Sequence, residues 1–391
     1  MKLKHFLNLI ALSAIMSSCE TILNIDVFTE VYPDGSCRKV FQNRVPLSFM
    51  LGEKFENGQN YFPQTIDTTQ WDVSWKYKDG NINTKYPIQQ SDIEHFKIDT
   101  ASLDNDFELT ISKHFDSVDE MNSFLSTNKY CGTQASYTLK KQFRWFFTYY
   151  TYTELYPKLN FKTNLLPISN YLDEHEAEYW FNGNTQLLTG MNGIEINEFC
   201  QELERKYNRW IRHLLWNEEY RIYVDNYDRL QLNISKSEFI SLSDTIFNQQ
   251  GDMLILDMSH VLDKYFDTKQ FSEFINQNVS LFDYDETNGD FFELFLNPQS
   301  VVHNNTLKLP GKVLSGNYYQ LDNNGLMSWR VTPARVFLKD YTVYAKSRKA
   351  NWWAFTVSLL IVFAAMYSVF FIKKNKVLLI QYIFVSLCKK I

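Results

Sequence analysis

The sequence is short of the features that usually name a function. It has no GxSxG, no P-loop and no GxGxxG, so no linear motif offers an esterase elbow, a phosphate cradle or a dinucleotide fingerprint. Its seven histidines are scattered singly, and six lie between residues 20 and 351. Five cysteines include no CxxC pair, which leaves a zinc or thioredoxin-type site without support. There is no internal repeat and no low-complexity linker. No cofactor is implied. A catalytic group set brought together only by folding stays open.

Charge is missing altogether from residues 352–372, WWAFTVSLLIVFAAMYSVFFI. Those 21 residues make about 31 Å of helix, enough to cross a hydrocarbon core. Trp352 and Trp353 stand at one end, where indoles favour a membrane interface, and Lys373, Lys374 and Lys376 close the other. A transmembrane helix is expected here. Beyond it, residues 377–387 are apolar but too short to return across a bilayer.

Acids are missing from both ends of the chain. Residues 1–19 and 373–391 carry only basic charge, so residues 20–372 hold 32 basic and 45 acidic side chains, a formal −13. That balance argues against nucleic acid and against adsorption to anionic lipid. Aromatics are abundant, with 31 Phe, 24 Tyr and 9 Trp, which favours a packed domain over a disordered stalk.

The N-terminus has the three parts of an export signal: Lys2 and Lys4, a short apolar run, and small residues before Cys19. Met16-Ser17-Ser18-Cys19 resembles the lipobox of bacterial lipoproteins. The resemblance implies cleavage after residue 18 and an acyl anchor on Cys19. With a helical span at the other end, it implies a bacterial inner-membrane protein with its body in the periplasm and residues 373–391 as a cytoplasmic tail. Lys346, Arg348 and Lys349, just before the span, weaken the charge contrast. Cys37, Cys131 and Cys200 permit at most one internal disulfide, and spacing does not choose the pair.

The pattern along the body predicts an α+β fold: a β-rich domain (19–167 and 279–346), a helical subdomain (168–278) inserted into it, and the span. A hairpin is expected over 24–43 about Pro33-Asp34-Gly35-Ser36. Strands are expected over 71–75, ending at Asp79-Gly80, and over 107–115. Ser117-Val118-Asp119-Glu120 reads as a capping box for a helix through Leu125. Apolar spacing predicts helices near 194–216 and 260–276. The chain should become extended again from 291, turn at Asp322-Asn323-Asn324-Gly325 between 314–320 and 326–331, and end with a strand over 336–345, about six residues before the span.

Residues 143–156, FRWFFTYYTYTELY, give the strongest strand signal. One face would carry Phe143, Trp145, Phe147 and Tyr149, the candidate wall of an apolar ligand groove. The opposite face would carry Phe146, Tyr150, Tyr152 and Tyr156.

Two passages resemble a bacterial lipoprotein domain of the mycobacterial LppM type. One is Val31-Tyr32-Pro33-Asp34-Gly35-Ser36. The other is Leu309-Pro310-Gly311-Lys312-Val313 followed by Asn317, Gly325 and Trp329. The resemblance implies an α+β envelope domain suited to lipid-like ligands and carries no site residues with it.

Two polar clusters are dense enough to suggest chemistry. His175-Glu176 opens like a zincin helix, but Tyr179 stands where the second His belongs, so residues 173–178 read as a solvated helix face. Residues 283–290 have Asn288 and Leu294 where a calcium loop needs Gly and Glu. No metal site and no catalytic residue is assigned. Asp-Thr/Ser followed by a small or apolar residue or Thr resembles the O-glycosylation signal of exported Bacteroidota proteins, which would place glycans on Thr68, Thr100, Ser117 and Thr245. The expected function is non-enzymatic: binding of an apolar ligand or an envelope partner. The alternatives are a structural subunit of an inner-membrane complex and, last, an envelope hydrolase.

Overall fold

A computed structural model describes residues 23–52, 62, 66–78, 80–98, 107–126, 129–130, 133–159, 166–251, 258–282 and 301–388. The fold is α+β, as expected: two facing β-sheets, a helical insertion, and one long apolar helix at the end.

The chain opens with β1 (Leu23–Val31) and β2 (Cys37–Val45), an antiparallel hairpin paired from Asp26–Gln42 to Val31–Cys37. The Asp34 carboxylate holds the turn by accepting from Ser36 N (3.0 Å) and Ser36 Oγ (2.8 Å). Then come β3 (Asp72–Tyr77) and β4 (Phe107–Phe115), both foreseen by alternation. The helix α1 (Val118–Leu125) is capped by Ser117, whose Oγ accepts from Glu120 N. Glu120 reaches back to Asp116 N rather than to the capping residue, so the reciprocal arm of the expected box falls one residue early.

A short ladder, β5 (Lys129–Tyr130) and β6 (Thr133–Gln134), precedes the first departure from expectation. Residues 143–156 are not one strand. They belong to β7 (Ser136–Arg144) and β8 (Phe147–Tyr156), a hairpin that turns at Trp145-Phe146. The sequence carries no turn residue there. Neither Trp145 nor Phe146 has a positive φ, so the turn is not the primed kind that Asn-Gly or Asp-Gly announces.

After the insertion the chain returns as β9 (Val301–Lys308), β10 (Lys312–Gly316), β11 (Gln320–Leu321), β12 (Leu326–Val331) and β13 (Tyr341–Ala350). The β11–β12 turn has the predicted chemistry: Asp322 accepts from Asn324 N and Leu326 N, and Gly325 sits at φ +79°. Its first arm is only two residues long, because Leu314 lies in β10, which joins the other sheet. Residues 333–336 form a 3-10 turn, so the last strand starts later than expected and runs to Ala350. Asn351 alone separates it from the final helix.

One sheet has the order β11-β12-β9-β1-β2-β4-β3, the other β10-β13-β8-β7. Strand β9 pairs parallel with β1, joining the two ends of the chain in one ladder. Between the sheets lie Val27, Phe41, Leu109, Ile111, Tyr152, Tyr156, Trp329 and Val343, all buried. Gly311, at φ +81°, lets β10 cross β13: a Cβ there would lie 2.2 Å from the Arg348 carbonyl oxygen.

The insertion is organised by a helix (Gly193–Asp225) of 33 residues, about 50 Å long. Asn192 caps it by accepting from Ile194 N and Glu195 N. It runs well past the expected end, because Trp216, Tyr220 and Tyr223 continue its apolar stripe. Its first half packs with Leu172, Phe181 and Phe337; its second packs against helices Lys236–Gln249 and Gln270–Gln277 and the one between them. Lys236–Gln249 was not foreseen. The single helix expected over 260–276 is two, Met258–Phe266 and Gln270–Gln277, broken at Asp267 (φ +49°). The Asp263 carboxylate caps the second by accepting from Phe271 N and Ser272 N.

The final helix is Trp352–Cys388, with the apolar, almost wholly exposed segment Trp352–Phe371. Twenty residues at 1.5 Å each give about 30 Å, enough to cross a hydrocarbon core. The helix continues without a break through the residues read from sequence as a separate short tail.

Candidate functional site

The β7–β8 turn and the start of the apolar helix are locked together. Asn351 N donates to Phe146 O (2.9 Å), and Asn351 Nδ2 donates to Arg144 O (3.0 Å) and Trp145 O (3.1 Å). Its Oδ1 accepts from Thr148 Oγ1 (2.9 Å). One side chain thus donates to two turn carbonyls and accepts from Thr148, tying the end of the hairpin to the residue before the helix.

Aromatic rings complete the junction. Phe143 stacks on Trp353, Trp145 meets Trp353 edge-on, and Phe146 and Phe147 pack on Phe355. Trp145 Nε1 donates to Ser358 Oγ at 2.8 Å, six residues into the helix, so the hairpin tip follows the helix for about 9 Å. Even so, Phe143 remains 59% exposed, Trp145 45%, and Trp352 75%.

Of the candidate groove residues, Phe143, Trp145, Phe147 and Tyr149, the first two lie on β7 and its turn and the last two on β8. Phe143, Trp145 and Phe147 gather around the helix start, whereas Tyr149 lies on the outer face of β8 beside Arg144 and Lys346. Of the opposite set, Tyr150, Tyr152 and Tyr156 are buried along β8, whereas Phe146 lies in the turn and is 40% exposed. A cleft of about 240 Å³ lies elsewhere, lined by Ile168, Leu172, Ala177 and Leu338. That is below the 300–1,000 Å³ typical of ligand sites.

Cys19 and Thr100 fall outside the described residues, as do Cys131 and residues 283–290. Thr68 is exposed in the turn after Asp67, and Thr245 is exposed on its helix. Ser117 is engaged as a helix cap. Cys37 and Cys200 are free thiols. Cys37 lies 3.8 Å from Met121 Sδ, and burial pushes its pKa up to about 12, so it is an inert core residue.

Two polar groupings were invisible in the sequence. The first is sealed between the sheets. Lys39, on β2, is fully buried; its Nζ donates to Thr29 Oγ1 (2.9 Å), lies 3.7 Å from Glu154 Oε2, and sits 4.8 Å above the Tyr137 ring. Tyr152 and Tyr156 donate to the Glu154 carboxylate, and Asn305 Nδ2 donates to Tyr156 Oη (2.7 Å). Burial pulls the Lys39 pKa down, with Glu154 opposing. His303, 2% exposed, is held to about 3, first by burial and then by Lys39. Such perturbed groups often mark active sites, but these are closed to solvent and face one another. They bind the sheets together.

The second grouping is Tyr171–His213–Asp244. His213 Nδ1 lies 2.5 Å from Tyr171 Oη and its Nε2 lies 3.0 Å from Asp244 Oδ1. Burial lowers the His213 pKa, which favours the neutral ring. A neutral ring then accepts from Tyr171 at Nδ1 and donates to Asp244 at Nε2. Its flat face is stacked on Phe247 at 4.2 Å. Both nitrogens are occupied, leaving none for a substrate proton. Similarly, Glu176, read from sequence as solvated, is buried and paired with Lys206 at 2.5 Å, while its N–H and the Asp173 N–H complete a capping box. Among the described residues no cluster of His, Cys, Asp or Glu is arranged to hold a metal ion.

A scan of family models and searches of curated proteins and solved structures find no match to this chain.

Proposed function

We propose that this protein is a membrane-anchored, non-enzymatic envelope lipoprotein that stands its β-sandwich on the bilayer and holds its helical module away from the surface to bind an envelope partner. The observation that carries this reading is the Asn351 junction. It fuses the four-stranded sheet to an exposed apolar helix and gathers Trp145, Trp352 and Trp353 at the start of that helix, and indoles favour a membrane interface, which supports the reading. The opposite end of β8 and β13 leads into the helical module. Leu159 N donates to Val336 O there, and Phe337 packs against Phe181 and Trp210. Ten residues of β8 span about 33 Å, so the module stands about that far from the helix start.

Partner binding is favoured over an apolar ligand, because three of the four aromatic residues that suggested a groove, Phe143, Trp145 and Phe147, pack on the helix start instead. The hydrolase alternative loses its best candidate pair to the closed geometry of His213. The acyl anchor at Cys19 and the periplasmic placement belong to the same proposal and rest on the export signal and the lipobox.

Brominated phospholipids test the reading. Full-length protein reconstituted in vesicles should show a quenched fraction of tryptophan emission, and Trp145→Phe should shrink that fraction. Unquenched emission, or quenching indifferent to Trp145, would overturn the upright stance.

A further inference from the structure

We propose that the outer face of the four-stranded sheet binds the phosphate headgroups of anionic phospholipids in the leaflet around the helix; this rests on the reading of Trp352–Phe371 as a membrane span. The four strands β10, β13, β8 and β7 carry a single acid, Glu154, which is turned inward, and five of their seven Lys and Arg residues, Lys140, Arg144, Lys312, Lys346 and Arg348, alternate onto the outer face with Phe147 and Tyr149. The body's net −13 therefore hides a segregated charge.

The cations converge where the helix begins. Arg348 pairs across the ladder with Tyr149 on one side and Lys312 on the other. The Arg144 guanidinium lies 5.3 Å from the Tyr149 ring, Lys346 Nζ lies 5.7 Å from the same ring, and Arg348 lies 4.9 Å from the Phe147 ring. Aromatic faces orient these groups without neutralising them. Among the described residues, none of Arg144, Lys312, Lys346 and Arg348 is in an ion pair.

Height selects the ligand. Arg348 stands two residues, about 7 Å, above the strand end at Ala350, within the depth of one headgroup layer. Lys346 stands about 13 Å above it and reaches down with a long stem. A soluble polyanion would approach against the net negative body. Lipid phosphates are already within a Debye length of this face once the helix is inserted.

Native mass spectrometry of full-length protein, released from vesicles of equal phosphatidylglycerol and phosphatidylcholine, tests the assignment. Wild-type protein should retain phosphatidylglycerol in preference. Each basic residue near a lipid surface accounts for about a fivefold effect, so R144Q/K346Q/R348Q should cut the preference by about tenfold or more. The charge-keeping set R144K/K346R/R348K should preserve it, as should K236Q/K264Q/K269Q on the helical module. Equal retention by the neutralised variant, or displacement of the lipid by millimolar inorganic phosphate, would overturn the proposal. Failure of wild-type protein to float with vesicles of either composition would instead remove the span itself, and the proposal with it.

Discussion

Along β8 the side chains alternate between two environments. Tyr150, Tyr152, Glu154 and Tyr156 point into the space between the sheets, and Glu154 meets a lysine with no access to water. Phe147 and Tyr149 point the other way and lie beneath Arg348, Arg144 and Lys346, whose charges have no carboxylate partner among the described residues. The same residue types thus serve two ends. Inside, a cation is tolerated because a carboxylate, a hydroxyl and a ring replace its water. Outside, cations lie over aromatic rings, with no ion pair to Arg144, Lys346 or Arg348 among the described residues. Burial, not composition, separates the lysine that needs a carboxylate from the cations that do not.

That contrast can be broken from the inside first. Glu154→Ala leaves Lys39 buried without its counter-charge and should cost about 3–5 kcal/mol in urea unfolding. Lys39→Met combined with Glu154→Leu should recover most of it. A single-variant loss under about 1 kcal/mol would show that water reaches the pair.

Acid should separate the faces next. His303 titrates near 3 in the folded chain and near 6.5 when unfolded. Between those values the unfolded chain binds the extra proton. The stability it contributes is therefore complete above about pH 6.5 and is lost as pH falls toward 3, at up to about 1.4 kcal/mol per pH unit. His303→Gln should flatten the slope; an unchanged slope would assign acid sensitivity elsewhere.

Smaller effects belong to the junction and the outer face. Asn351→Ala removes three side-chain hydrogen bonds and should cost about 1–3 kcal/mol, seen as faster amide exchange around Phe147 and Thr148. Arg348→Gln should leave the melting transition within about 0.5 kcal/mol of wild type while changing lipid retention. A large stability loss would mean that the outer cations hold the sheet together.

Local rules made much of the sandwich legible. The β1–β2 turn, β3, β4, the Ser117 cap and the Asp322–Gly325 turn each announce themselves in a few residues. What escaped depends on distant partners. The β7–β8 turn is marked by no turn residue, and two of its carbonyls accept from Asn351, some 200 positions later. Strand β9 falls in the stretch expected to be extended, but its bounds do not show, because His303 and Asn305 face inward and break the polar–apolar alternation. Asp263 splits a continuous apolar pattern into two helices by capping the second. The Lys39–Glu154 pair joins strands more than a hundred residues apart, and neither position has a local peculiarity. The aromatic run at 143–156 reads as one strand but is a hairpin, because aromatics on both faces look alike in a buried strand and in a junction.

The uninterrupted passage from β13 through Asn351 into the apolar helix makes the molecule a lever. Across a bilayer such a helix answers changes in thickness by tilting. With the hairpin turn bonded to Asn351, a tilt is not absorbed by a linker but carried into the sheet. A 10° change would sweep a module about 33 Å away through about 6 Å, the scale of one helical turn. Lipid thickness would then set the height and angle at which the helical module stands.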